Sequence, residues 1–315
     1  MKKTSDTMKK EIPVFFSTDD NYIPYLDVAI SSLIENASDE YNYRIVVLNT
    51  GLNAENVTKV KEREQDGVRI DFVDISDDVE NIKPHLKNVY HFSLVTYYRL
   101  FISSLFPEYD KIIYLDCDIV VLGDISELYN TDLDGNIIAA VPDQYVPITE
   151  EFKLYTEQVV GVDSETYVNA GVLVIDLDEF RRNRIEEQFV ELITTYNFDV
   201  IDPDQAYINY LCYGKVRVLP NGWNKQPLPT PSVGKKNLVH YSLYKKPWQY
   251  DDVIDGDCFW HYAESSPFYG QIVDAKEKFG EEDRARKDAA AREILEHATM
   301  LLSTENTFRN RLCVR

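Results

Sequence analysis

Cysteine, histidine and positive charge are all scarce in this chain of 315 residues, which has four cysteines and five histidines. The cysteines are far apart and lack the spacing of a metal cluster, so we expect free thiols in a reducing cytoplasm; they are Cys117, Cys212, Cys258 and Cys313. Only 33 basic residues stand against 54 acidic ones, giving a formal net charge of −21. Nucleic-acid binding needs a basic surface that displaces counterions, so this function class is excluded.

Long hydrophobic runs and phosphate-binding glycine loops are also lacking. No run approaches the length of a membrane span, and Met1–Asp6 is not followed by the apolar segment of a secretory signal, so we expect a cytoplasmic protein. The first strand pattern is followed by neither Gly-x-Gly-x-x-Gly nor a P-loop sequence. A Rossmann dinucleotide-binding site and a P-loop nucleotide-binding site are therefore disfavoured. The composition that remains, 44% hydrophobic and 12% aromatic, is that of a globular chain with a large core.

Short β-rich runs alternate with amphipathic stretches along most of the chain. The spacing predicts strands at 12–17, 44–48, 68–73, 111–115, 137–141 and 172–175. It predicts helices from 22, at 54–64, 96–106, 180–196, 204–213 and 285–302. This alternation indicates an α/β fold with a doubly wound, mostly parallel sheet. The segment 220–267 lacks periodicity and is rich in Pro, Trp, Tyr and Asn, which is typical of long binding loops.

Two carboxylates follow the strand that ends at Leu115. Asp116 and Asp118 come directly after an uninterrupted apolar run, at the sheet edge where ligands bind in open α/β folds. Their oxygens suit Mg²⁺ or Mn²⁺ on a diphosphate. The pattern Asp-x-Asp also occurs at 132/134, 176/178, 202/204 and 255/257, where solvated turns are the simpler interpretation. Cys117, between the two carboxylates, has no partner that would make it a nucleophile.

Other polar side chains are predicted near the same edge. Asp19 and Asn21 leave the first strand, and the carboxyl ends of parallel strands meet at one edge of the sheet. His240 ends an apolar run and is either a packed core histidine or a third metal ligand. Lys245 and Lys246 follow it, and are either a solvated pair or a site for a diphosphate leaving group.

These residues together resemble glycosyltransferase family 8, the retaining sugar transferases of the GT-A fold. Among its members the chain is similar to the bacterial lipopolysaccharide galactosyl- and glucosyltransferases and to general stress protein A. Six motifs carry the resemblance in the family's order: 18–22, 96–100, 114–119, 169–173, 204–205 and 240–248. The resemblance implies a GT-A domain over residues 1–267, with a Rossmann-like sheet flanked by helices and a loop-rich acceptor region. Residues 268–315 would form a C-terminal helical extension.

The resemblance also implies roles for individual residues. Asp116, Asp118 and His240 would hold Mn²⁺ or Mg²⁺ on the diphosphate of a UDP-sugar. The expected donor-binding residues are Thr18, Asp19, Asn21, His91, Arg99, Asp116, Cys117, Asp118, Asp143, Asn169, Asp204 and Lys246, of which Asp19 and Asn21 would contact uracil and ribose. The expected catalytic residues are Gln205, Asp204 and Lys246. The family often has glycine where this chain has Leu243, so the contact to the β-phosphate would be remade or weakened.

The function implied is metal-dependent transfer of glucose or galactose from UDP to a hydroxyl of a glycan or glycolipid, with retention. Gln205 is a poor nucleophile, which favours front-face attack with the leaving phosphate taking the acceptor's proton. The competing interpretations are a phosphatase of the haloacid dehalogenase type, whose Asp-x-Asp normally follows the first strand, and a non-catalytic UDP-sugar-binding protein.

The C-terminal extension carries an apolar stripe at helical spacing. The stripe consists of Ile294, Leu295, Ala298, Leu301 and Leu302, and the basic residues Arg309, Arg311 and Arg315 follow it. We expect this tail to lie outside catalysis and to dock on its own domain or on a second subunit. The alternative is peripheral contact with the inner face of an anionic membrane, which the basic end would favour and several acidic residues would oppose.

Overall fold

The computed structural model describes residues 9–86 and 94–312. In this part of the chain the strands are β1 (Glu11–Ser17), β2 (Asn42–Asn49), β3 (Val68–Asp74), β4 (Lys111–Leu115), β5 (Ile119–Val121), β6 (Ile138–Pro142), β7 (Val168–Asp176), β8 (Val216–Val218) and β9 (Leu238–His240). One seven-stranded sheet has the order β3-β2-β1-β4-β7-β6-β8, and β5 pairs with β9 in a second sheet. Each strand predicted from the sequence is present.

The large sheet is mostly parallel, as predicted. β1 runs parallel to β2 and β4, β2 to β3, and β6 to β8. Within the described sheet, β7 is the strand that runs against both of its neighbours, β4 and β6. Because of this reversal the amino end of β7 lies at the carboxyl edge of the sheet, beside the residue that follows β4.

Helices cover both faces of the sheet. They are α1 (Ile23–Asn36), α2 (Ala54–Lys61), α3 (Ser76–Val79), α4 (Ile102–Leu105), α5 (Ile125–Tyr129), α6 (Glu150–Tyr155), α7 (Leu177–Arg182), α8 (Ile185–Thr195), α9 (Pro203–Leu211), α10 (Gly256–Ala263), α11 (Tyr269–Lys278), α12 (Glu281–Leu301) and α13 (Phe308–Leu312). Successive side chains of a strand point to opposite faces. Accordingly, Phe15 of β1 lies in one hydrophobic core, and Val14 and Phe16 lie in the other.

Three predicted segments differ in detail. The single helix expected from 180 to 196 is two helices, α7 and α8, because Arg184 between them has a left-handed φ of 53°. The helix expected from 96 to 106 begins as a 3₁₀ helix at Leu94 and becomes α-helical only at Ile102. In that segment Arg99 donates to the Thr96 carbonyl, which removes an acceptor from the helical ladder. The segment 220–267 contains β9 and α10 as well as loops.

The C-terminal helix α12 docks on its own domain, the first of the arrangements expected for it. Ile294, Ala298 and Leu301 are buried in the same core as the residues of β4 and β7, and Phe308 of α13 joins them. Ile294 also lines the cavity described below, and the expectation that this tail lies apart from catalysis stays a prediction. The predictions for Cys313 and Arg315 concern residues outside the described part of the chain.

Candidate active site

A cavity of about 160 Å³ opens at the carboxyl edge of the large sheet. Its walls include residues that follow β1, β4 and β6, together with the amino end of β7. The Asp116 amide donates to the Gly171 carbonyl over 2.8 Å, which fixes the end of β4 against the beginning of β7. The reversed strand therefore brings two separate sequence motifs, one around Asp116 and one around Asn169, into one site.

Asp116, Asp118 and His240 converge in this cavity. A ligand atom from each lies within 4.8 Å of the other two. His240 Nε2 is 3.2 Å from Asp118 Oδ1 and 3.8 Å from Asp116 Oδ2. The small β5–β9 sheet creates this arrangement, because Ile119 pairs with His240 across it. These are the three residues expected to hold a metal, and their geometry allows one ion to contact all three.

Asn224 orients the histidine from behind. Its side-chain nitrogen donates to Asn169 Oδ1 over 2.9 Å, so its oxygen faces His240 Nδ1, also 2.9 Å away. That oxygen can only accept, which assigns the proton to Nδ1 and leaves Nε2 free as a ligand. Asn224 is completely buried and was missed by the sequence analysis. It lies in the segment without periodicity, where a single amide gives no pattern to detect.

Gly171 leaves the space that the histidine and a carboxylate fill. A Cβ built on Gly171 would lie 2.6 Å from Asp116 Oδ2 and closer still to His240 Cε1. No other side chain fits there without moving the two ligands, because real Cβ atoms do not approach within 3.0 Å.

Lys246 supplies a buried positive charge beside Asp118. Its ammonium group forms an ion pair with Asp118 Oδ2 and donates to the Tyr241 carbonyl. Burial opposes ionisation of Asp118, but the positive charge of the Lys246 ammonium group outweighs it and holds the pKa of Asp118 well below its ordinary value. Lys245 differs, since it is exposed and pairs with Asp252 over 3.0 Å. Of the two lysines considered together in the sequence, Lys246 belongs to the site.

Arg99 connects the aspartate pair to the other side of the cavity. Its guanidinium lies 2.7 Å from Asp116 Oδ1 and 3.1 Å from Asp204 Oδ2, and it stacks 4.2 Å from the centre of the Tyr114 ring. Burial opposes its charge, yet Asp116 and Asp204 raise the pKa of Arg99 above the ordinary value. Burial raises the pKa of Asp204, and Arg99 opposes that change. Asp204 Oδ2 is buried, and within the described residues it forms no hydrogen bond beyond this ion pair with Arg99.

Gln205 is held by a network of polar side chains. Its oxygen accepts from the Ala170 amide at 3.0 Å and from Asn169 Nδ2 at 3.3 Å. Its nitrogen lies 3.4 Å from Asp143 Oδ2 and 3.3 Å from Asp202 Oδ2. The amide is therefore fixed in orientation, and its oxygen is hydrogen-bonded to two donors from β7.

Asp202 is a further carboxylate at the cavity that the sequence analysis assigned to a solvated turn. The Tyr155 hydroxyl donates to its Oδ1 over 2.7 Å, and the Tyr167 hydroxyl donates to Oδ2. Burial raises the pKa of Asp202 to about 7, although both tyrosine hydroxyls act in the opposite direction. The turn interpretation is wrong for Asp202, because its carboxylate is enclosed by aromatic residues.

Most residues expected at the site line the cavity. They are Asp19, Arg99, Asp116, Cys117, Asp118, Asp143, Asn169, Asp204, Gln205, His240 and Lys246. Thr18 and Asn21 do not: the buried Thr18 hydroxyl donates to the Asp19 carbonyl, and Asn21 is exposed, with its amide donating to Asp19 Oδ1. The prediction for His91 concerns a residue outside the described part of the chain. Burial raises the pKa of Cys117, so this thiol is an apolar wall element.

The fold and the polar cavity at its sheet edge define a sugar-transferring enzyme of the GT-A class. The family model described as Glycosyl transferase family 8 matches residues 13–252, and the chain belongs to this family. It is 29% identical over 252 residues to General stress protein A of Bacillus subtilis, covering 73% of this chain and 85% of that one. It is 27% identical over 254 residues to the Lipopolysaccharide 1,2-glucosyltransferase of Escherichia coli, covering 75% and 72%.

Solved structures agree with this assignment. The galactosyltransferase LgtC, solved in complex with donor and acceptor sugar analogs, superposes with a TM-score of 0.68 at 28% identity, covering 81% of this chain and 96% of that one. The bifunctional glycosyltransferase WbbM gives a TM-score of 0.73 at 25% identity over 86% of this chain, which spans about half (53%) of the WbbM chain. Within the described residues, no helix is both long and apolar enough to cross a bilayer.

Proposed function

We propose that this glycosyltransferase moves glucose or galactose from a UDP-sugar to a hydroxyl of a glycan or lipid-linked acceptor, with retention and with the help of a divalent cation. The observation that carries the proposal is the convergence of Asp116, Asp118 and His240 within 4.8 Å in a cavity that Lys246 and Arg99 also line. A cation held by these three residues, together with the positive charges of Lys246 and Arg99, would suit a diphosphate leaving group.

Asp116, Asp118 and His240 would hold the metal. Two carboxylates and one imidazole with a free Nε2 form a suitable donor set, and the absence of a side chain at Gly171 leaves room for His240 and Asp116. Mg²⁺ prefers oxygen ligands, so the imidazole favours Mn²⁺, with Mg²⁺ as the alternative. When bound, the cation neutralises negative charge on a departing diphosphate. Lys246 adds a fixed positive charge at the same place.

The remaining residues would bind the nucleotide and the sugar. Asp19 Oδ1 already accepts two backbone amides, from Asn21 and Tyr22, which leaves Oδ2 to accept the N–H of uracil. On the sugar side, Asp204 lines the cavity and would accept from a hydroxyl, and Arg99 fixes its orientation. Asp143 and Asn169, hydrogen-bonded to each other over 3.0 Å, would contact further hydroxyls of the transferred sugar.

Retention with front-face attack agrees with the environment of Gln205. The Gln205 oxygen accepts from Ala170 and Asn169, so it is held as a fixed dipole and is not free to attack the anomeric carbon. Its role would be electrostatic support of a positively charged sugar. The acceptor hydroxyl would attack from the side of the leaving phosphate and give its proton to that phosphate oxygen.

Leu243 supports a retained phosphate contact. Its φ is 60°, the left-handed conformation that glycine adopts without strain. The backbone therefore follows the path expected for the family's glycine, at a cost of about 1–2 kcal/mol for a residue with a Cβ. This conformation argues against the non-catalytic alternative, in which the diphosphate site is spoiled. The phosphatase alternative is also disfavoured, because Asp116 follows β4 and not the first strand.

Nucleotide release provides the direct test. Purified protein should release UDP from UDP-glucose or UDP-galactose only when Mn²⁺ is added, and Asp118→Ala should abolish release without unfolding the protein. Titration with UDP, ADP, GDP and CDP in Mn²⁺ should give the tightest binding for UDP. Release of inorganic phosphate, or tighter binding of another nucleotide, would overturn the proposal. Donor sugars screened against a panel of glycan and lipid-linked acceptors would identify the acceptor, and fractionation of cells would test a location at the inner face of the membrane.

A further inference from the structure

The C-terminal helix α12 lies outside the part of the chain that the family model matches, yet it forms one wall of the cavity. The match ends at residue 252, whereas α12 spans Glu281–Leu301 and its Ile294 lines the cavity. Its inner face also contacts the segment that carries Lys246, because the Tyr244 hydroxyl donates to the Ala290 carbonyl over 3.1 Å. The helix therefore contributes Ile294 to the cavity wall from outside the segment that the family model matches.

Lys287 lies on the same face of α12 as these contacts. It precedes Ile294 by seven residues, which is two helical turns, so the two side chains project from the helix in nearly the same direction. Ala290 lies between them on this face and anchors it to Tyr244. Lys287 is thus directed towards the segment between His240 and Lys246.

Lys287 differs from its neighbour Arg286 in how its charge is balanced. In the ranges 9–86 and 94–312, no acidic side chain forms an ion pair with Lys287, whereas the neighbouring Arg286 pairs with Asp283. Burial and the positive charge of Lys246 lower the pKa of Lys287. The two ammonium groups repel each other although Lys246 is paired with Asp118, and Lys287 has no such partner within the described residues. An anion between them would remove the repulsion.

We propose that Lys287 of α12 is a second cation for the donor's diphosphate, which it contacts together with Lys246. This inference rests on the proposed function, since it assigns a further binding residue to the same nucleotide site. The lysine would bind the diphosphate as a point charge and would make no contact with the nucleoside.

The test compares a nucleotide that carries the diphosphate with one that does not. Lys287→Ala should weaken UDP binding in the presence of Mn²⁺ by roughly tenfold or more and leave uridine binding unchanged. Lys287→Arg should retain most of the UDP affinity. Arg292→Ala is the matched control, because it removes the same charge from the opposite, exposed face of α12 and should change neither affinity. Binding is measured by calorimetry, with melting curves to compare the fold of each variant.

Unchanged UDP affinity in Lys287→Ala would overturn the inference. Equal weakening of UDP and uridine would overturn it as well, because that result indicates a structural role for the lysine. If the wild-type protein binds a different nucleoside diphosphate and not UDP, the proposed nucleotide is wrong. The same comparison with that diphosphate and its nucleoside then still decides the role of Lys287.

Discussion

Gly171→Ala should disable the metal site without removing any ligand. The added Cβ would lie 2.6 Å from Asp116 Oδ2, and separations under 3.0 Å do not occur, so this oxygen must move by at least about 0.4 Å and the His240 ring by more. Metal–ligand distances tolerate about 0.2 Å. The displacement should therefore lower Mn²⁺ affinity by about 10- to 100-fold, as loss of a supporting contact does, which corresponds to about 1.4–2.7 kcal/mol.

The backbone itself allows this substitution. Gly171 lies in β7 and is not among the residues with positive φ, so the effect is steric clash and not backbone strain. Gly270→Ala in α11 is the matched control, since nothing lies within 4 Å of its added Cβ. Mn²⁺ binding is measured by calorimetry, and circular dichroism compares the folds. A Gly171→Ala protein with wild-type Mn²⁺ affinity and wild-type fold would refute the reasoning.

Substitutions at three further positions test separate parts of the site. The pKa of Asp202 is raised to about 7 in the folded protein, whereas the same carboxyl in the unfolded chain loses its proton near pH 4. The stability that the protonated carboxyl contributes is therefore lost as the pH rises from about 4 to 7. Asp202→Asn should remove this loss. The difference in free energy of unfolding between variant and wild type, measured by urea titration, should then be up to about 3 kcal/mol larger at pH 8 than at pH 5. An equal difference at both pH values would contradict this prediction. Asn224→Ala should lower Mn²⁺ affinity by about 10- to 100-fold because the His240 tautomer is no longer fixed, and an unchanged affinity would exclude that role. Leu243→Val should weaken UDP binding several-fold because a β-branched residue resists a φ of 60°, whereas Leu243→Gly should retain it; equal affinities would show that the left-handed backbone is not required.

The sequence predicted the features that depend on local patterns. The short β-rich run of β1 and the apolar run before Asp116 identify strands directly, and the carboxyl edge of a parallel sheet then brings Asp19 and Asp116 together. The resemblance supplied the partners that are distant in sequence, such as Gln205 and His240, which no local pattern connects to the aspartates.

The remaining features depend on tertiary contacts. Nothing in the run from Val168 to Asp176 indicates that β7 is reversed, because the direction of a strand depends on which neighbours it pairs with. The break at Arg184 is a single left-handed residue within an otherwise helical pattern. The apolar stripe of α12 predicted a docked helix, but it could not predict that Ile294 would reach the cavity.

The bridge formed by Arg99 has a thermodynamic consequence. One guanidinium is shared between Asp116, a proposed metal ligand, and Asp204, a proposed sugar ligand. A cation that draws Asp116 away from Arg99 leaves the positive charge of Arg99 less neutralised, and its interaction with Asp204 then becomes stronger. Reciprocity then requires that the factor by which the metal alters affinity for the sugar equal the factor by which the sugar alters affinity for the metal. Neither affinity is a fixed property of its own site, and each has a meaning only at a stated concentration of the other ligand.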